Sequence, residues 1–236
     1  MLSGIVLVDK APGWTSHDVV AKCRGLLRER KIGHGGTLDP MATGLLVLFV
    51  GSATKLVSRL PGEKTYTASL RFGLETDTYD AEGRTVREYD RIPSAEELKA
   101  VLPRYTGDLL QIPPMVSAIK INGKKLYELA RKGVEVERPP RPVTVSEFTW
   151  IGERDGEHTV EIVCSAGTYV RSLIHDIGHE LGSGAVMTAL RRIRSGPFRV
   201  EDAVPVEEVT PERVLPVDRG QWIVDSWGTE GGDCRG

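Results

Sequence analysis

A single carboxylate lies in an unusually punctuated loop. The stretch GHGGTLDPMATG, residues 33–44, places four glycines and a proline around Asp39. A carboxylate on such a loop can act as a nucleophile if a cation keeps it ionised and small neighbours let a substrate approach. Candidate cations are Arg171 in GTYVRSL and the residues of two basic clusters. The structural alternative is that Asp39 caps a turn or helix that begins at Pro40.

Other chemistries find less support in the sequence. His175 and His179 stand four residues apart, as in half of a helical zinc site. The HExxH order is missing and no third ligand is indicated, so we expect no metal. The loop matches neither GxGxxG nor the GxxxxGKS/T phosphate loop, and the chain has no GxSxG nucleophile elbow. A carboxylate-dependent hydrolase stays open at this point.

Composition narrows the setting of the chain. It has 236 residues and a formal net charge of -2, which argues mildly against a nucleic-acid partner unless basic residues cluster locally. The longest apolar stretch, residues 45–50, is too short to span a membrane. Cys23, Cys164 and Cys234 form no CxxC pair, and the N-terminus reads as a strand instead of a leader. A reducing cytoplasm is therefore the expected location.

The elements that must hold the reactive loop can be predicted from periodicity. Apolar residues at helical spacing follow Ser16, and residues 65–73 alternate like a strand with one solvated face. The run at 45–50 fits a buried strand or a helix segment, between which periodicity does not decide. Residues 158–181 read as a strand, a small-residue break and then a helix that carries Arg171.

Three further segments stand out. Ser94 with Glu97 three residues later has the capping-box spacing and predicts a helix up to residue 102. Residues 111–143 place proline pairs, an Asn-Gly turn and a short basic helix between two ordinary strands. A long irregular excursion of this kind in a compact domain is usually functional. Residues 190–198, LRRIRSGPF, form a basic cluster.

Several long motifs resemble, in order, those of the bacterial tRNA pseudouridine(55) synthase family. KIGHGGTLDPMATGLLVLFVGSATK resembles the family's catalytic loop, and LVDKAPGWTSHDVV its opening motif. EKTYTASLRFGLETDTYDAEG is similar to its tyrosine-bearing strand and acidic turn. IPPMVSAIKINGKKLYELARKGVEVERPPRPV is similar to its RNA-gripping thumb, and CSAGTYVRSLIHDIGHELGSGAVMTALRRIRSGPF to its arginine motif and the helix after it. The resemblance runs over about residues 3–200.

The resemblance implies a fold and a domain organisation. The expected fold is the α+β pseudouridine synthase fold, a bent, mainly antiparallel mixed sheet flanked by helices, with a central catalytic cleft and a thumb insertion at about 111–143. Residues 1–204 would form the catalytic domain. Residues 205–236 would form a short tail, too short for the small RNA-binding domain of PUA type with which the family usually ends. Its end, DSWGTEGGDCRG, shows no periodicity, so we expect that stretch to be loosely ordered.

The resemblance also assigns roles to residues. Asp39 would be the catalytic aspartate, attacking a uridine at the anomeric carbon or at C6, or acting as the base in an elimination through a glycal. Tyr66 would stack on the flipped uracil with its hydroxyl near the reacting sugar. Arg171 would pair with Asp39, and Asp80 would hold Arg171 in turn. No cofactor or metal is implied.

Four further positions follow from the same motifs. Tyr169 and Leu190 would line the uracil pocket, and His34 would fill or brace the gap that the flipped nucleotide leaves in the RNA. Lys10 would support the catalytic loop. The structural alternatives are that Tyr66 and Tyr169 are half-buried strand residues, that Leu190 is a core residue and that Asp80 and Arg171 form an ordinary ion pair.

The implied partner is the T stem-loop of tRNA, and the implied activity is that of a tRNA pseudouridine synthase, an isomerase. Phosphate contacts would come from the helix that starts at Ser16, from Gly123 to Arg141 and from Arg191 to Arg199. We expect a monomer with no membrane association and no obligatory protein partner. The alternatives are a non-catalytic tRNA-binding or RNA-folding protein and a guide-RNA-directed pseudouridine synthase, against which the complete thumb segment argues.

Overall fold

The computed structural model describes residues 2–217, apart from 118, 122, 127, 128, 130–132 and 135. Within these residues the α-helices are α1 (Ser16–Leu27), α2 (Ala95–Val101) and α3 (Val170–Glu180). The strands are β1 (Gly4–Lys10), β2 (Ile32–His34), β3 (Thr43–Val50), β4 (Lys64–Phe72), β5 (Leu74–Thr76), β6 (Thr85–Glu88), β7 (Gly107–Gln111), β8 (Lys120–Ile121), β9 (Lys124–Lys125), β10 (Arg141–Arg154), β11 (Glu157–Cys164), β12 (Ala185–Ser195), β13 (Phe198–Arg199) and β14 (Val204–Pro205). Short 3-10 helices span Gly51–Arg59, Leu102–Tyr105, Val200–Asp202, Val206–Glu208 and Pro211–Arg213.

One mixed sheet organises the described residues. Its strand order is β14-β1-β3-β12-β4-β11-β10-β7, with β2 added to β3 and β13 to β12. The pairs β1–β14 and β3–β12 are parallel and the remaining pairs in this sheet are antiparallel. The expected α+β class with a mainly antiparallel mixed sheet is therefore confirmed. The late strand β12 lies at the centre, between β3 and β4.

The apolar run at 45–50 is strand β3, buried on both faces. Its alternate residues Leu46 and Leu48 pack with the apolar face of α1, whereas Val47 and Phe49 pack with the 3-10 helix Gly51–Arg59. A strand covered on both faces needs apolar residues at every position, which removes the period of two. That is why periodicity alone does not distinguish it from a helix.

The helices place two of the candidate residues. Helix α1 begins with a capping box between Thr15 and Asp18, an arrangement that fixes the start of a helix. Helix α3 carries Arg171 in its first turn and buries Leu173 and Ile177 against the core that contains β4 and β12. The start of α3 is thereby anchored on the sheet.

The segment at 111–143 leaves the sheet and returns to it at one point. Gln111, the last residue of β7, pairs with Arg141, the first residue of β10. Between them, the described residues include the two-stranded hairpin β8–β9.

Residues 205–217 pack back onto the sheet. Val206 and Val209 are buried in the core beneath α1, and Leu215 exchanges two backbone hydrogen bonds with Ile5 of 2.9 and 2.7 Å. The rest of the expected tail, residues 218–236, lies outside the described residues. In the part of the chain that is described, no helix has the length and apolar character needed to cross a membrane.

Candidate active site

The loop that carries Asp39 is fixed on both sides of the carboxylate. On one side, the backbone N–H of Leu38 donates to Ser16 Oγ at 2.9 Å, and Ser16 is itself buried at the start of α1. On the other side, the carbonyl of Pro40 accepts from the backbone N–H of Gly13 at 2.9 Å and from Lys10 Nζ at 3.1 Å. Asp39 thus has little freedom to shift along the loop.

Bends at Pro40 and Met41 lead directly into β3, and no helix begins at Pro40. The alternative role of Asp39 as a helix cap is therefore excluded, whereas a turn does form there, because the Ala42 N–H donates to the Asp39 carbonyl at 3.1 Å. Gly44 closes the loop at a φ of +98°, and a Cβ there would lie 2.3 Å from the carbonyl oxygen of Arg192. Only glycine lets β3 and β12 approach so closely directly behind the loop.

Asp39 forms an ion pair with the guanidinium of Arg171. Arg171 Nη2 lies 3.0 Å from Asp39 Oδ2, and the side chain of Arg171 is only 4% exposed, whereas that of Asp39 is 35% exposed. A buried cation with fixed hydrogen bonds attracts a carboxylate and fixes its orientation. The exposure of Asp39 leaves the carboxylate reachable from solvent.

Arg171 is held in turn by groups from two other segments. Its Nη1 donates to the carbonyl of Thr78 at 3.1 Å and lies 3.4 Å from Asp80 Oδ2. Its Nη2 also donates to the carbonyl of Val116 at 3.0 Å. The guanidinium is planar and rigid, so these contacts fix the direction in which it meets Asp39.

Asp80 belongs to a turn that is itself determined in detail. Its Oδ1 accepts from Thr78 Oγ1 at 2.6 Å and from the backbone N–H of Glu82 at 3.1 Å. Tyr79 between them has a φ of +66°, an uncommon conformation for a bulky residue. The turn stays in this conformation because Met187 of β12 donates its N–H to the Tyr79 carbonyl at 3.1 Å.

The residues expected around the uracil lie on three elements: Tyr66 in β4, Tyr169 directly before α3 and Leu190 in β12. Tyr66 in β4 is paired with Arg192 of β12, and Leu190 lies further along β12 opposite Ala68. Tyr169 precedes α3 and exchanges two hydrogen bonds with the side chain of Gln111, of 2.8 and 2.9 Å. Burial raises the pKa of both tyrosines, so both hydroxyls are protonated at neutral pH and can donate.

His34 lies at the start of the same loop, on β2. Its ring meets the ring of His17 edge to face with centroids 5.7 Å apart, and its Nδ1 is buried with no hydrogen-bond partner. Burial lowers the pKa of His34, which makes the neutral form dominant at pH 7.

Lys10 holds the Asp39 loop through a hydrogen bond to its backbone. Its Nζ donates to the carbonyls of Ala11, Trp14 and Pro40 at 3.0, 2.7 and 3.1 Å, and the side chain is fully buried. Burial lowers the pKa of Lys10 to about 8. The expected support of the loop by Lys10 is consistent with these contacts.

Arg192 is a part of the site that the sequence places wrongly. It belongs to the basic cluster expected to contact phosphates, but its side chain is fully buried. Its Nε donates to the carbonyl of Leu45 at 2.7 Å and its Nη2 to that of Gly36 at 3.1 Å. Arg192 therefore fastens the inner side of the Asp39 loop, because it supplies donors to backbone carbonyls of the loop and of the start of β3.

Two models of known protein families together match residues 24–218. A family model described as TruB family pseudouridylate synthase, N-terminal domain, matches residues 24–170. The chain belongs to the TruB family. A second model, described as the tRNA pseudouridylate synthase B C-terminal domain, matches residues 171–218. The two matches meet between residues 170 and 171, at the start of α3, which connects strands β11 and β12 of the same sheet.

Relatives within the family are identical to this chain at almost half of the aligned positions. A tRNA pseudouridine synthase B of Heliobacterium mobile is 45% identical over 223 residues, which cover 91% of this chain and 72% of that protein. The protein of the same name from Thermobifida fusca is 48% identical over 229 residues, covering 92% of this chain and 78% of the relative. The protein of that name from Streptomyces coelicolor is 44% identical over 245 residues, or 98% and 81%.

Solved structures show the same fold. A crystal structure of a Cbf5-Nop10-Gar1 complex matches 87% of this chain with a TM-score of 0.68 and 33% identity. An H/ACA RNP bound to a substrate RNA containing 2'-deoxyuridine matches with a TM-score of 0.63 and 30% identity. This chain spans 53% and 51% of those two chains. These matches confirm the pseudouridine synthase fold.

Proposed function

We propose that this protein isomerises uridine to pseudouridine in the T loop of tRNA, at position 55, with Asp39 as the reacting carboxylate. The observation that carries the proposal is the 3.0 Å contact between Asp39 and the buried Arg171, on a loop fixed by Lys10 and Ser16. The three relatives described above are all named tRNA pseudouridine synthase B.

The reaction needs only groups that this site holds. The bond between C1′ of the ribose and N1 of uracil breaks, a bond between C1′ and C5 forms, the hydrogen of C5 leaves as a proton, and N1 gains a proton. No electrons are gained or lost, so neither an oxidant nor a reductant is needed. Asp39 can attack C1′ as a nucleophile, as carboxylates do in retaining glycosidases, attack C6 of the uracil, or remove a sugar proton in an elimination through a glycal.

The base must leave the RNA stack to reach Asp39. Enzymes that act on a base extrude it into a pocket and bind its flat face against an aromatic side chain. Tyr66 supplies that face, with Tyr169 and Leu190 around the uracil, and its protonated hydroxyl can donate to the sugar. His34, at the mouth of the loop, occupies the gap left in the RNA. Asp80 acts only through Arg171.

The substrate is recognised as a folded loop. Single-stranded loops expose base edges and backbone that a protein can read, whereas the grooves of an RNA duplex offer little. The exposed basic residues of α1 and the basic residues of the 111–143 segment supply phosphate contacts, which gives binding a salt dependence. We propose that the protein acts as a monomer on bare tRNA.

Substitution of Asp39 by Asn tests the proposal. A tRNA transcript carries uridine tritiated at C5, so each turnover releases tritium to water. We expect Asp39→Asn to lower the single-turnover rate by at least about 10³-fold while changing the Kd for the transcript by less than about threefold. Asp77→Asn is the matched control, because Asp77 lies in the acidic turn and its side chain pairs with the exposed Arg84.

The same assay separates the alternatives. A non-catalytic RNA-binding protein binds and refolds the transcript without releasing tritium at any enzyme concentration. A guide-directed enzyme releases tritium only when a guide RNA and helper proteins are added. A hydrolase releases free uracil. Full activity of Asp39→Asn would remove Asp39 from the mechanism, and equal release from a transcript with cytidine at position 55 would refute the proposed target.

A further inference from the structure

Two histidines and a glutamate gather on the same side of α3 as Arg171. His175 and His179 follow Arg171 at intervals of four residues, so the three side chains form one stripe along the helix. Glu75 of β5 reaches the two histidines from the adjoining hairpin. Among the described residues, Glu75, His175 and His179 are the group of histidines and carboxylates whose arrangement could hold a metal ion. They are called the His–Glu cluster below.

The distances within the His–Glu cluster match those between the ligands of one metal ion. Glu75 Oε1 lies 3.1 Å from His179 Nε2 and 3.8 Å from His175 Nδ1, and the three ligand atoms lie within 4.8 Å of one another. In a tetrahedral zinc site with bonds of about 2.0–2.1 Å, neighbouring ligand atoms are about 3.3 Å apart. Shifts of a few tenths of an ångström, with a larger one between the two imidazoles, would close the site around an ion.

His175 has an unused nitrogen at this place. Its Nδ1 is buried and has no hydrogen-bond partner, although a buried polar atom normally has one. Glu75 is too far from Nδ1 to form a hydrogen bond but well placed to share an ion with it.

The ligands are supported as metal ligands usually are. Tyr89 donates its hydroxyl to Glu75 Oε2 at 3.1 Å, which leaves Oε1 to face the histidines. The ring of Tyr79 stacks on that of His175 with centroids 3.7 Å apart and fixes its orientation. Such outer contacts set the direction of metal ligands and raise affinity. His179 is 48% exposed, which provides an entry path and an open position for water.

We propose that Glu75, His175 and His179 bind one divalent transition-metal ion of the zinc class, with water as a further ligand. Two imidazoles and one carboxylate are borderline ligands that suit Zn²⁺ and Co²⁺ better than Mg²⁺ or Ca²⁺. No third ligand can be recognised from the sequence, because Glu75 lies in a hairpin that is far from α3 along the chain.

The ion would join α3 to the hairpin that carries the acidic turn. Strand β5 ends at Thr76 and leads directly to Thr78 and Asp80, two of the residues that hold Arg171. A metal that ties Glu75 to α3 therefore fixes the distance between the helix and this turn. The expected role is structural, and it does not depend on whether the protein modifies RNA.

Zinc binding to the untagged chain tests the proposal. The starting protein carries Cys234→Ser, which removes a thiol outside the described residues; Cys23 and Cys164 are buried. Titration with Zn²⁺ alone, followed by calorimetry, should show one ion per chain, and Zn²⁺ should raise the thermal midpoint until a chelator is added. Co²⁺ should give the visible bands of a low-symmetry site.

The variants decide which residues bind the ion. Glu75→Gln, His175→Gln and His179→Gln should each weaken Zn²⁺ binding at least about tenfold, and Tyr89→Phe about tenfold through Glu75. His158→Gln is the matched control, because His158 lies 3.5 Å from Glu153 in a histidine–carboxylate pair outside this site, and it should leave affinity unchanged. Thermal unfolding without metal shows that each variant folds.

Two results would overturn the proposal. One is a Kd for Zn²⁺ weaker than about 1 mM, which leaves an ordinary hydrogen bond between His179 and Glu75. The other is a tight site that Glu75→Gln and His175→Gln do not weaken relative to His158→Gln.

Discussion

Replacement of Arg171 by Lys tests whether the geometry of the guanidinium, as well as its charge, holds the site together. Arg171 faces four acceptors: Asp39 Oδ2 and the Val116 carbonyl from one nitrogen, and the Thr78 carbonyl and Asp80 Oδ2 from the other. A lysine keeps the positive charge, but its three donors radiate from a single nitrogen. Lysine can donate either to the Asp39 and Val116 acceptors or to the Thr78 and Asp80 acceptors, and the other pair is left without a donor.

The size of the effect follows from which acceptors are lost. Asp39 is 35% exposed and can be rehydrated, so its loss costs little stability. On the other side, Asp80 is buried and Thr78 is half-buried, and each acceptor left unsatisfied away from water costs about 1–3 kcal/mol. We expect Arg171→Lys to lower the free energy of unfolding by about 3 kcal/mol. We also expect a rate loss of about 10²-fold, because a reacting group displaced by about 1 Å loses that much.

Denaturant unfolding and single-turnover tritium release measure the two effects on the same preparations. The denaturant slope should stay unchanged, so that a lower midpoint reports stability alone. Arg104→Lys is the control, since Arg104 is 71% exposed and pairs with Glu180 at the surface, where such pairs contribute at most about 1 kcal/mol. If Arg171→Lys unfolds within about 0.5 kcal/mol of the parent and reacts within threefold of its rate, the reasoning about the guanidinium fork is wrong.

Three other substitutions probe the loop and its surroundings. Gly44→Ala should destabilise the fold by at least about 2 kcal/mol more than Gly156→Ala in denaturant unfolding. Both glycines have a positive φ, but only a Cβ at position 44 would collide with the Arg192 carbonyl. Equal losses of stability would contradict this account of the loop. Lys64 is buried with a pKa lowered from 10.5 to about 8, chiefly by burial, so above pH 8 the native state releases this proton before the unfolded state does. The unfolding free energy of the parent minus that of Lys64→Met should therefore rise between about pH 8 and 10.5, by at most about 3 kcal/mol, and a flat or falling difference would show that the lysine is not so perturbed. Tyr66→Phe keeps the ring and loses the hydroxyl, so RNA affinity should stay within about twofold while the single-turnover rate falls by about 10²-fold; an unchanged rate would limit Tyr66 to stacking.

Local structure could be predicted where neighbouring residues decide it. The capping-box spacing of Ser94 and Glu97 is realised at the start of α2, where Ser94 Oγ accepts from the Glu97 N–H and Glu97 Oε2 accepts from the Ser94 N–H. The helix after Ser16 and the alternating strand at 65–73 were also correct. Each depends on side chains within a few residues of the backbone that they shape.

The site could not be predicted in the same way, because it is assembled across the sheet. Composition offers Arg171 as one of several cations, and only the resemblance of long motifs singles it out for Asp39. Arg192 looks like a surface charge in LRRIRSGPF, yet it is buried, since the carbonyls of the Asp39 loop need its donors. Glu75 is equally hidden, as no spacing links a short strand to a histidine pair on a distant helix.

The position of β12 determines at which stage of synthesis the active site can form. The sheet is complete only when this strand inserts in parallel beside β3 and in antiparallel beside β4. A nascent chain that ends at Cys164 already carries Asp39 and Tyr66, but it lacks Arg171, the cation beside the carboxylate, and Arg192, the clamp of the loop. Its two half-sheets have no shared strand to join them, so the reactive constellation closes only after most of the chain has left the ribosome. Long-range strand pairing of this kind also sets a slow step for refolding from denaturant.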